Sequence, residues 1–159
     1  MTVVIYGSTT GNTQTAAEKI AEALGDARVC SAAEAKPEDL DQADLIVLGT
    51  STWGCGDLQD DWEENIALLD QTDFSGKKAA LFALGDQESY PDTFVDGMGV
   101  LRDRLESNNA VITGSWPVEG YEFDESAAVR DGRFAGLVLD EDNQADLTDN
   151  RIREWVNTL

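Results

Sequence analysis

The sequence contains no histidine, and only two cysteines and 11 basic residues are found among its 159 residues. Without histidine the chain has no side chain whose ordinary pKa lies near 7, and it lacks the imidazole ligands common in zinc sites. Cys30 and Cys55 form neither a disulfide framework nor a metal-ligand spacing. These absences argue against a zinc enzyme, and they predict no metal site and a reducing compartment.

Long apolar runs are also missing. No segment approaches the roughly 18 consecutive apolar residues of a membrane span, and the N-terminus lacks the basic region and apolar core of a secretory signal. We therefore expect a cytoplasmic protein that does not insert into membranes. The length and the apolar fraction of 42% favour one globular domain over residues 1–159.

The charge balance is strongly acidic, with 32 acidic and 11 basic residues and a formal net charge of −21. Such a chain is a poor candidate for binding nucleic acid or an anionic membrane surface, because like charges repel. The acidity suits a basic protein partner. It is equally consistent with a role in solubility or with adaptation to a salty interior, and the sequence leaves these explanations open.

Short apolar runs alternate with amphipathic stretches along the chain, which is the pattern of a parallel sheet covered by helices on both faces. Five strand–helix units favour a doubly wound α/β sheet. Trp62 and Trp155 fit the core stripes of their helices, and Thr148 is predicted to be an N-cap. The predicted strands are TVVIY, ARVCSA, ADLIVLGT, KKAALFALG and AVITGSW, and the predicted helices are NTQTAAEKIAEAL, DDWEENIALLD, DTFVDGMGVLRDRLES and TDNRIREWVNTL.

The loop after the first predicted strand reads GSTTGNT and carries hydroxyls and glycines but no charge. At the start of a helix, such hydroxyls and backbone N–H groups can form a neutral anion cradle. The spacing fits neither a P-loop nor a dinucleotide-binding fingerprint. The alternative is a polar turn in which Thr13 is the helix N-cap.

The loops after the third and fourth predicted strands each contain an aromatic residue that no core pattern requires. Trp53 lies among Gly, Thr and Ser in TSTWGCGDLQDDW, and Tyr90 lies in LGDQESYPDTF. Because ligands of such sheets bind at the carboxyl ends of the strands, we interpret the two rings as walls for a flat heterocycle. Tyr90 beside Pro91 is alternatively an ordinary turn residue.

These three loops together resemble those of the flavodoxin family, and the similarity continues to VLDEDNQADLTDNRIREWV. The resemblance implies a five-stranded parallel sheet of order 2-1-3-4-5 that binds one FMN non-covalently. The break in the pattern at about residues 118–133 matches the loop that splits the last strand in long-chain flavodoxins. The chain departs from the family at Ser51, where proline is frequent, and at Gly54–Cys55, where many long-chain members have a bulkier pair.

The family's functional positions transfer to this chain by motif. The phosphate loop would be formed by Ser8, Thr9, Thr10, Gly11, Asn12 and Thr13. Thr50, Ser51, Thr52 and Trp53 would line one flavin face and the ribityl chain, and Tyr90 would stack on the other face. Asp86 with the neighbouring backbone at Gly85 would meet the pyrimidine edge, and Asp142 would lie near the ribityl end. Separately, because glycine tolerates a positive φ, the peptide between Gly54 and Cys55 is our candidate to turn a carbonyl toward the flavin in its semiquinone state.

The resemblance implies a low-potential one-electron carrier rather than an enzyme, without catalytic residues, in which FMN cycles between semiquinone and hydroquinone. A fixed negative charge about 8 Å from an anionic hydroquinone would oppose its formation by roughly 2 kcal/mol. The many carboxylates therefore predict a strongly reducing second couple that becomes less negative as ionic strength rises.

A negative surface around the flavin would steer the protein toward basic faces of redox proteins, namely a reductase as donor and iron–sulfur or haem proteins as acceptors. Asp60, Asp61, Glu63 and Glu64 are candidates for that surface, or they form an ordinary solvated helix face. We expect a monomer. The alternatives are an FMN-dependent NAD(P)H–quinone-type reductase on the same fold, which would need a substrate pocket above the flavin, and a flavin-free regulatory module.

Overall fold

The first apolar run forms β1 (Thr2–Tyr6), whose residues Val3, Val4 and Ile5 are completely buried in succession. Burial of consecutive residues shows that both faces of this strand are covered, as the pattern predicts. The computed structural model describes residues 1–53 and 56–159, with Trp53 described by its backbone alone.

The elements alternate along the chain as the sequence pattern predicts, with several additional short segments. Helix α3 is shorter than its amphipathic stretch, because the chain tightens into a 3-10 segment at Ile66–Gln71. After β1 the elements are α1 (Asn12–Leu24), β2 (Ala27–Ser31), α2 (Pro37–Asp41), β3 (Leu45–Trp53), β4 (Asp57–Leu58), α3 (Asp60–Asn65), β5 (Lys78–Leu84), α4 (Asp96–Ser107), β6 (Val111–Thr113), β7 (Trp116–Pro117), β8 (Val129–Arg130), β9 (Arg133–Phe134), β10 (Leu137–Leu139) and α5 (Thr148–Val156).

The main sheet is parallel and has the order β2-β1-β3-β5, with a split strand at its last position. β6 pairs with residues 78–80 of β5, and β10 pairs with residues 82–84 of the same strand. The predicted order 2-1-3-4-5 and the predicted split of the last strand are therefore confirmed. The only antiparallel partner in this sheet, within the described residues, is the short β4, which folds back on the end of β3.

The segment between β6 and β10 builds its own three-stranded antiparallel sheet of order β7-β9-β8. Its aromatic rings pack on one another and on Phe94, which precedes α4: the ring centroid of Phe134 lies 5.3 Å from that of Tyr121 and 6.0 Å from that of Phe94. Gly136 brings the chain back against β5, where a β-carbon would lie 1.9 Å from the carbonyl oxygen of Leu81. The insertion therefore leaves and rejoins the parallel sheet at its last strand, and it contacts α4 through Ala127 and β10 through Tyr121.

The helices form two groups: α1 packs with α5, whereas α4 packs on β3, β5 and the 3-10 segment. Trp62 and Trp155 are completely buried, which confirms their predicted place in the core. The prediction of Thr148 as an N-cap is wrong, because a 3-10 turn leads directly into α5 and makes Thr148 its first residue. In the described part of the chain, none of the helices has the length and hydropathy of a membrane span.

Candidate functional site

The loop from Ser8 to Thr13 joins the carboxyl end of β1 to the amino end of α1. Gly11 precedes the helix with a φ of 97°, a left-handed conformation that favours glycine. The Gly11 N–H donates a hydrogen bond of 3.0 Å to Ser8 Oγ, which closes the loop on itself. Because Gly11 rather than Thr13 occupies the N-cap position, the alternative of a polar turn capped by Thr13 is not the observed geometry.

The end of β3 lies beside this loop, and its three polar residues have different surroundings. Thr50 is completely buried, and its methyl group faces α4, at 3.3 Å from the position of a β-carbon on Gly97. Thr52 Oγ1 accepts a 2.9 Å hydrogen bond from the Gly97 N–H. Ser51 is half-buried and borders the same opening as Thr52.

The loop after β5 turns on Asp86, whose Oδ1 accepts hydrogen bonds from the N–H groups of Glu88 and Ser89 and from Asn143 Nδ2. Partial burial raises the pKa of Asp86, but the hydrogen bonds from Asn143, Ser89 and Glu88 outweigh it and hold the pKa below its ordinary value. Tyr90 follows at the rim with 50% of its surface exposed. An aromatic side chain this exposed is available to stack on a ligand.

The residues that follow β10 are the fourth segment of the candidate site, after the loops that follow β1, β3 and β5. The carboxylates of Asp86, Asp140 and Asp142 lie within 4.8 Å of one another. Both oxygens of the buried Asp140 accept hydrogen bonds, from Gln87 and from Asn143. Desolvation, together with the negative charges of Asp86, Asp140 and Glu141, raises the pKa of Asp142.

These segments enclose one cleft of about 230 Å³ at the carboxyl ends of β1, β3, β5 and β10. The cleft includes the boundary between β1 and β3, where the strand order reverses and where ligands of open α/β sheets bind. Of the described residues that line it, none is lysine or arginine. They are Thr10, Asn12, Thr13, Ser51, Thr52, Leu84, Gly85, Asp86, Tyr90, Glu141 and Asp142.

The cleft brings together residues from all three predicted loops and from the segment after β10. Thr50 is not among the lining residues, since it is turned into the core. The side chain of Trp53, and Gly54 and Cys55 entirely, lie outside the described residues. The predicted residues at the lining are Thr10, Asn12, Thr13, Ser51, Thr52, Gly85, Asp86, Tyr90 and Asp142, whereas Ser8, Thr9 and Gly11 belong to the adjoining turn of the first loop.

Two lining residues, Leu84 and Glu141, were missed by the sequence prediction. Leu84 ends an apolar strand, so the sequence gives no signal that separates it from the core. Glu141 stands between two aspartates of the DED run, and its position two residues after a buried strand was a usable signal. Glu141 Oε1 accepts a 2.5 Å hydrogen bond from Thr148 Oγ1, which connects the cleft to the start of α5.

Comparison with known proteins identifies the family. The flavodoxin family model matches residues 4–155. The chain is 46% identical to a flavodoxin of Synechococcus elongatus, over 98% of this chain and 94% of that protein. It is 47% identical to a flavodoxin of Trichodesmium erythraeum, with the same coverage. The chain belongs to the flavodoxin family.

The flavodoxin architecture agrees with solved structures as well. The crystal structure of Fusobacterium nucleatum flavodoxin bound to flavin mononucleotide superimposes with a TM-score of 0.93. The two proteins are 27% identical, over 98% of this chain and 94% of that one. The family resemblance expected from the three loops is thereby confirmed, and with it the flavodoxin-like fold.

Proposed function

We propose that this protein is a one-electron carrier that binds FMN non-covalently in the cleft at the carboxyl ends of β1, β3, β5 and β10. The observation that carries the proposal is the neutral cradle at the start of α1, which opens into the same cleft as an exposed aromatic side chain. The membership in the flavodoxin family and the FMN-bound structure of a relative with the same fold support it.

The phosphate group fits the loop from Ser8 to Thr13. The N-terminus of a helix carries a partial positive charge and unpaired N–H groups. Hydroxyl and amide side chains from Thr10, Asn12 and Thr13 reach the cleft beside that helix end. A dianionic phosphate would therefore be held by oriented dipoles and hydrogen bonds, with no basic side chain among the described lining residues.

The ring would lie farther along the cleft, with Tyr90 on one face and Trp53 on the other. Backbone groups near Gly85 and the side chain of Asp86 are proposed to meet the pyrimidine edge. Thr52 and Ser51 would border the ribityl chain, and Asp142 would lie near its end. Thr50 would act by supporting the loop from the core, since it is completely buried.

FMN supplies the one-electron chemistry when bound, and the protein tunes the free energy of each reduction step. Asp86, Glu141 and Asp142 place negative charge at the cleft, which disfavours the addition of further negative charge there. We propose that this makes the second reduction step strongly unfavourable, so that the fully reduced carrier is a strong reductant. Its partners would be basic faces of a reductase and of iron–sulfur or haem proteins, approached by a monomer.

Titration of the apo-protein with FMN tests the binding proposal. We expect tight binding, quenching of the flavin fluorescence and a yellow complex of one FMN per chain. The Tyr90→Ala variant should bind more weakly, because a stacking contact is lost. An apo-protein that takes up no FMN would contradict the proposal.

The electron-carrier role is tested by mixing the FMN complex with NADPH, first alone and then with a flavoprotein reductase. A carrier should bleach slowly or not at all with NADPH alone and quickly when the reductase is added. Fast bleaching by NADPH alone would instead indicate an enzyme that oxidises the nucleotide directly.

A further inference from the structure

Gln59 is a buried polar residue between β4 and α3, with only 1% of its surface exposed. Its Oε1 accepts hydrogen bonds from the N–H groups of Asp61 at 2.9 Å and Trp62 at 3.4 Å, so that it caps α3. Two N–H donors facing the same atom assign it as the amide oxygen. The orientation of the Gln59 amide is therefore fixed by the start of the helix.

With its oxygen occupied, the amide presents its nitrogen to the first loop, where Gln59 Nε2 donates a hydrogen bond of 3.1 Å to Thr9 Oγ1. The side chain lies directly over the backbone of Gly7, where a β-carbon would be 2.2 Å from Gln59 Oε1. Gln59, near the end of the segment TSTWGCGDLQDDW, thus connects that segment to the loop from Ser8 to Thr13.

The contact decides the direction of the Thr9 hydroxyl. An amide N–H cannot accept a hydrogen bond, so Thr9 Oγ1 must be the acceptor toward Gln59. The hydroxyl hydrogen is then directed to another partner, and Thr9 is exposed on the loop that we assign to the phosphate. A hydroxyl whose hydrogen is not donated to Gln59 is available as a donor to an anion.

We propose that Gln59 is a positioning residue for the FMN phosphate: its amide orients the Thr9 hydroxyl as a hydrogen-bond donor to the phosphate group. The inference rests on the proposed function and adds to it a specificity determinant outside the cleft. It predicts that Gln59 contributes to the preference for FMN over riboflavin, which has the same ring and ribityl chain but no phosphate.

Replacement of Gln59 by glutamate separates this role from a structural one. The Gln59→Glu side chain has the same shape, and a carboxylate oxygen still caps α3. Its second oxygen can only accept, so the Thr9 hydroxyl would turn toward the new carboxylate and away from the phosphate. The dissociation constant for FMN should rise roughly tenfold to a hundredfold, while that for riboflavin should change by less than about threefold, which corresponds to ordinary surface effects.

A double-mutant cycle with Thr9→Val removes the contribution of the added charge. In the Thr9→Val background no hydroxyl remains to be turned, so Gln59→Glu should weaken FMN binding several-fold less than it does beside Thr9. Gln42→Glu, at an exposed position after α2, is the matched control that adds the same charge near the amino ends of the strands, away from the cleft at their carboxyl ends. If Gln59→Glu does not fold, Gln59→Met, which also lacks the donor, is compared in the same cycle.

The two proposals fail in different ways. An unaltered protein that bound neither flavin would overturn the proposed function together with this inference. An unaltered protein that binds FMN, combined with an equal loss of FMN and riboflavin affinity in the Gln59 variants, would overturn the role of Gln59 alone. An effect of Gln59→Glu that is equally large with Thr9 present and in the Thr9→Val background would overturn it as well.

Discussion

Asp96, the first residue of α4, is a half-buried carboxylate in an acidic environment. Its Oδ1 accepts a 2.7 Å hydrogen bond from the Ala127 N–H, and its Oδ2 would lie 2.8 Å from a β-carbon on Gly56. Desolvation raises its pKa above the ordinary value and exceeds the opposing effect of the Ala127 hydrogen bond. The shallow surface depression that Asp96 lines is also lined by Asp92, Asp124 and Glu125, and none of its described lining residues is lysine or arginine.

The raised pKa of Asp96 predicts how the stability depends on pH. Because the folded state favours the protonated carboxyl, its stabilising contribution is present below the ordinary pKa and is lost as the pH rises through the raised pKa. We expect Asp96→Asn to increase the urea midpoint of the apo-protein at pH 7, with a gain that shrinks as the pH falls toward about 4. Asp92→Asn, at an exposed position, should have a smaller effect. A gain that does not depend on pH would contradict this assignment.

At the residue scale, the sequence predicted which loops line the cleft, whereas it could not predict which way each side chain points. Thr50 and Thr52 lie on the same face of β3, and both approach Gly97 at the start of α4. Thr50 is completely buried there, whereas Ser51 and Thr52, closer to the end of the strand, reach the cleft. Gln59 carries no motif signal either. Its contact with Thr9 joins residues 50 positions apart and exists only after the sheet has formed.

At the scale of elements, α4 lies close to its neighbours because glycines face them. A β-carbon at Gly97 would lie 3.1 Å from the carbonyl oxygen of Ser51, and one at Gly99 would lie 2.6 Å from the carbonyl oxygen of Ala127. Backbone atoms of this kind cannot move aside as the end of a flexible side chain can. The two glycines therefore set the distance from α4 to β3 and to the insertion.

The Gly99→Ala variant shows which of two opposing effects on stability is larger: the higher helix propensity of alanine or the overlap of its methyl group with the insertion. Alanine favours a helix over glycine by about 1 kcal/mol, but here its methyl group would overlap the backbone of Ala127. We expect a net loss of about 1–3 kcal/mol in the free energy of unfolding, measured by urea denaturation. Val100→Ala, on the exposed side of the same helix, is the control and should change the stability little. A stabilised Gly99→Ala variant would show that the insertion can move away from α4.

Tyr121 links the inserted sheet to the parallel sheet through two hydrogen bonds of its hydroxyl group. Its hydroxyl accepts a 2.9 Å hydrogen bond from Trp116 Nε1 in β7 and donates one of 2.5 Å to the carbonyl oxygen of Val138 in β10. The Arg151 guanidinium carbon lies 4.3 Å from the centre of its ring. Burial raises the pKa of Tyr121 to about 12.

Removal of this hydroxyl would leave one donor and one acceptor without their partner in a largely buried place. We expect Tyr121→Phe to lower the free energy of unfolding by about 1–3 kcal/mol. Tyr90→Phe, which alters an exposed ring, is the control in the apo-protein. Because burial also raises the pKa of Tyr6, the tyrosinate absorbance change at the highest pH should become smaller in Tyr121→Phe without vanishing. An unchanged amplitude would assign that ionisation to another tyrosine.

For the whole molecule, the net charge of −21 produces self-repulsion that unfolding relieves. The Debye length falls from about 10 Å at 0.1 M salt to about 3 Å at 1 M. The urea midpoint of the apo-protein should therefore be higher in about 1 M NaCl than in about 0.1 M NaCl. A variant with glutamine at the exposed positions Glu22, Glu119 and Glu154 has less self-repulsion to screen, so its urea midpoint should rise less with salt. A midpoint that does not change with salt would mean that the surface charges are already screened.

The same charge predicts the behaviour of the proposed carrier. Screening of the carboxylates should make the more negative of the two one-electron potentials of the FMN complex less negative at high salt. The first potential should move less, because a neutral product senses the surrounding charge less than an anionic one does. Spectroelectrochemical titration at the two salt concentrations measures both, and equal shifts would contradict a charge-based origin.

Periodicity and strand-end loops in the sequence by themselves determined the α/β alternation, the buried tryptophans and the three loops of the cleft. The resemblance to flavodoxins added the strand order and the split last strand. These properties are local or follow from a spacing that repeats along the chain. Contacts between distant segments set four further properties: Thr50 faces the core, Glu141 joins the cleft, α5 begins at Thr148 and Gln59 contacts Thr9. Each of these depends on which distant backbone lies beside a residue, and burial and hydrogen-bond partners are set by that neighbour rather than by the residue type.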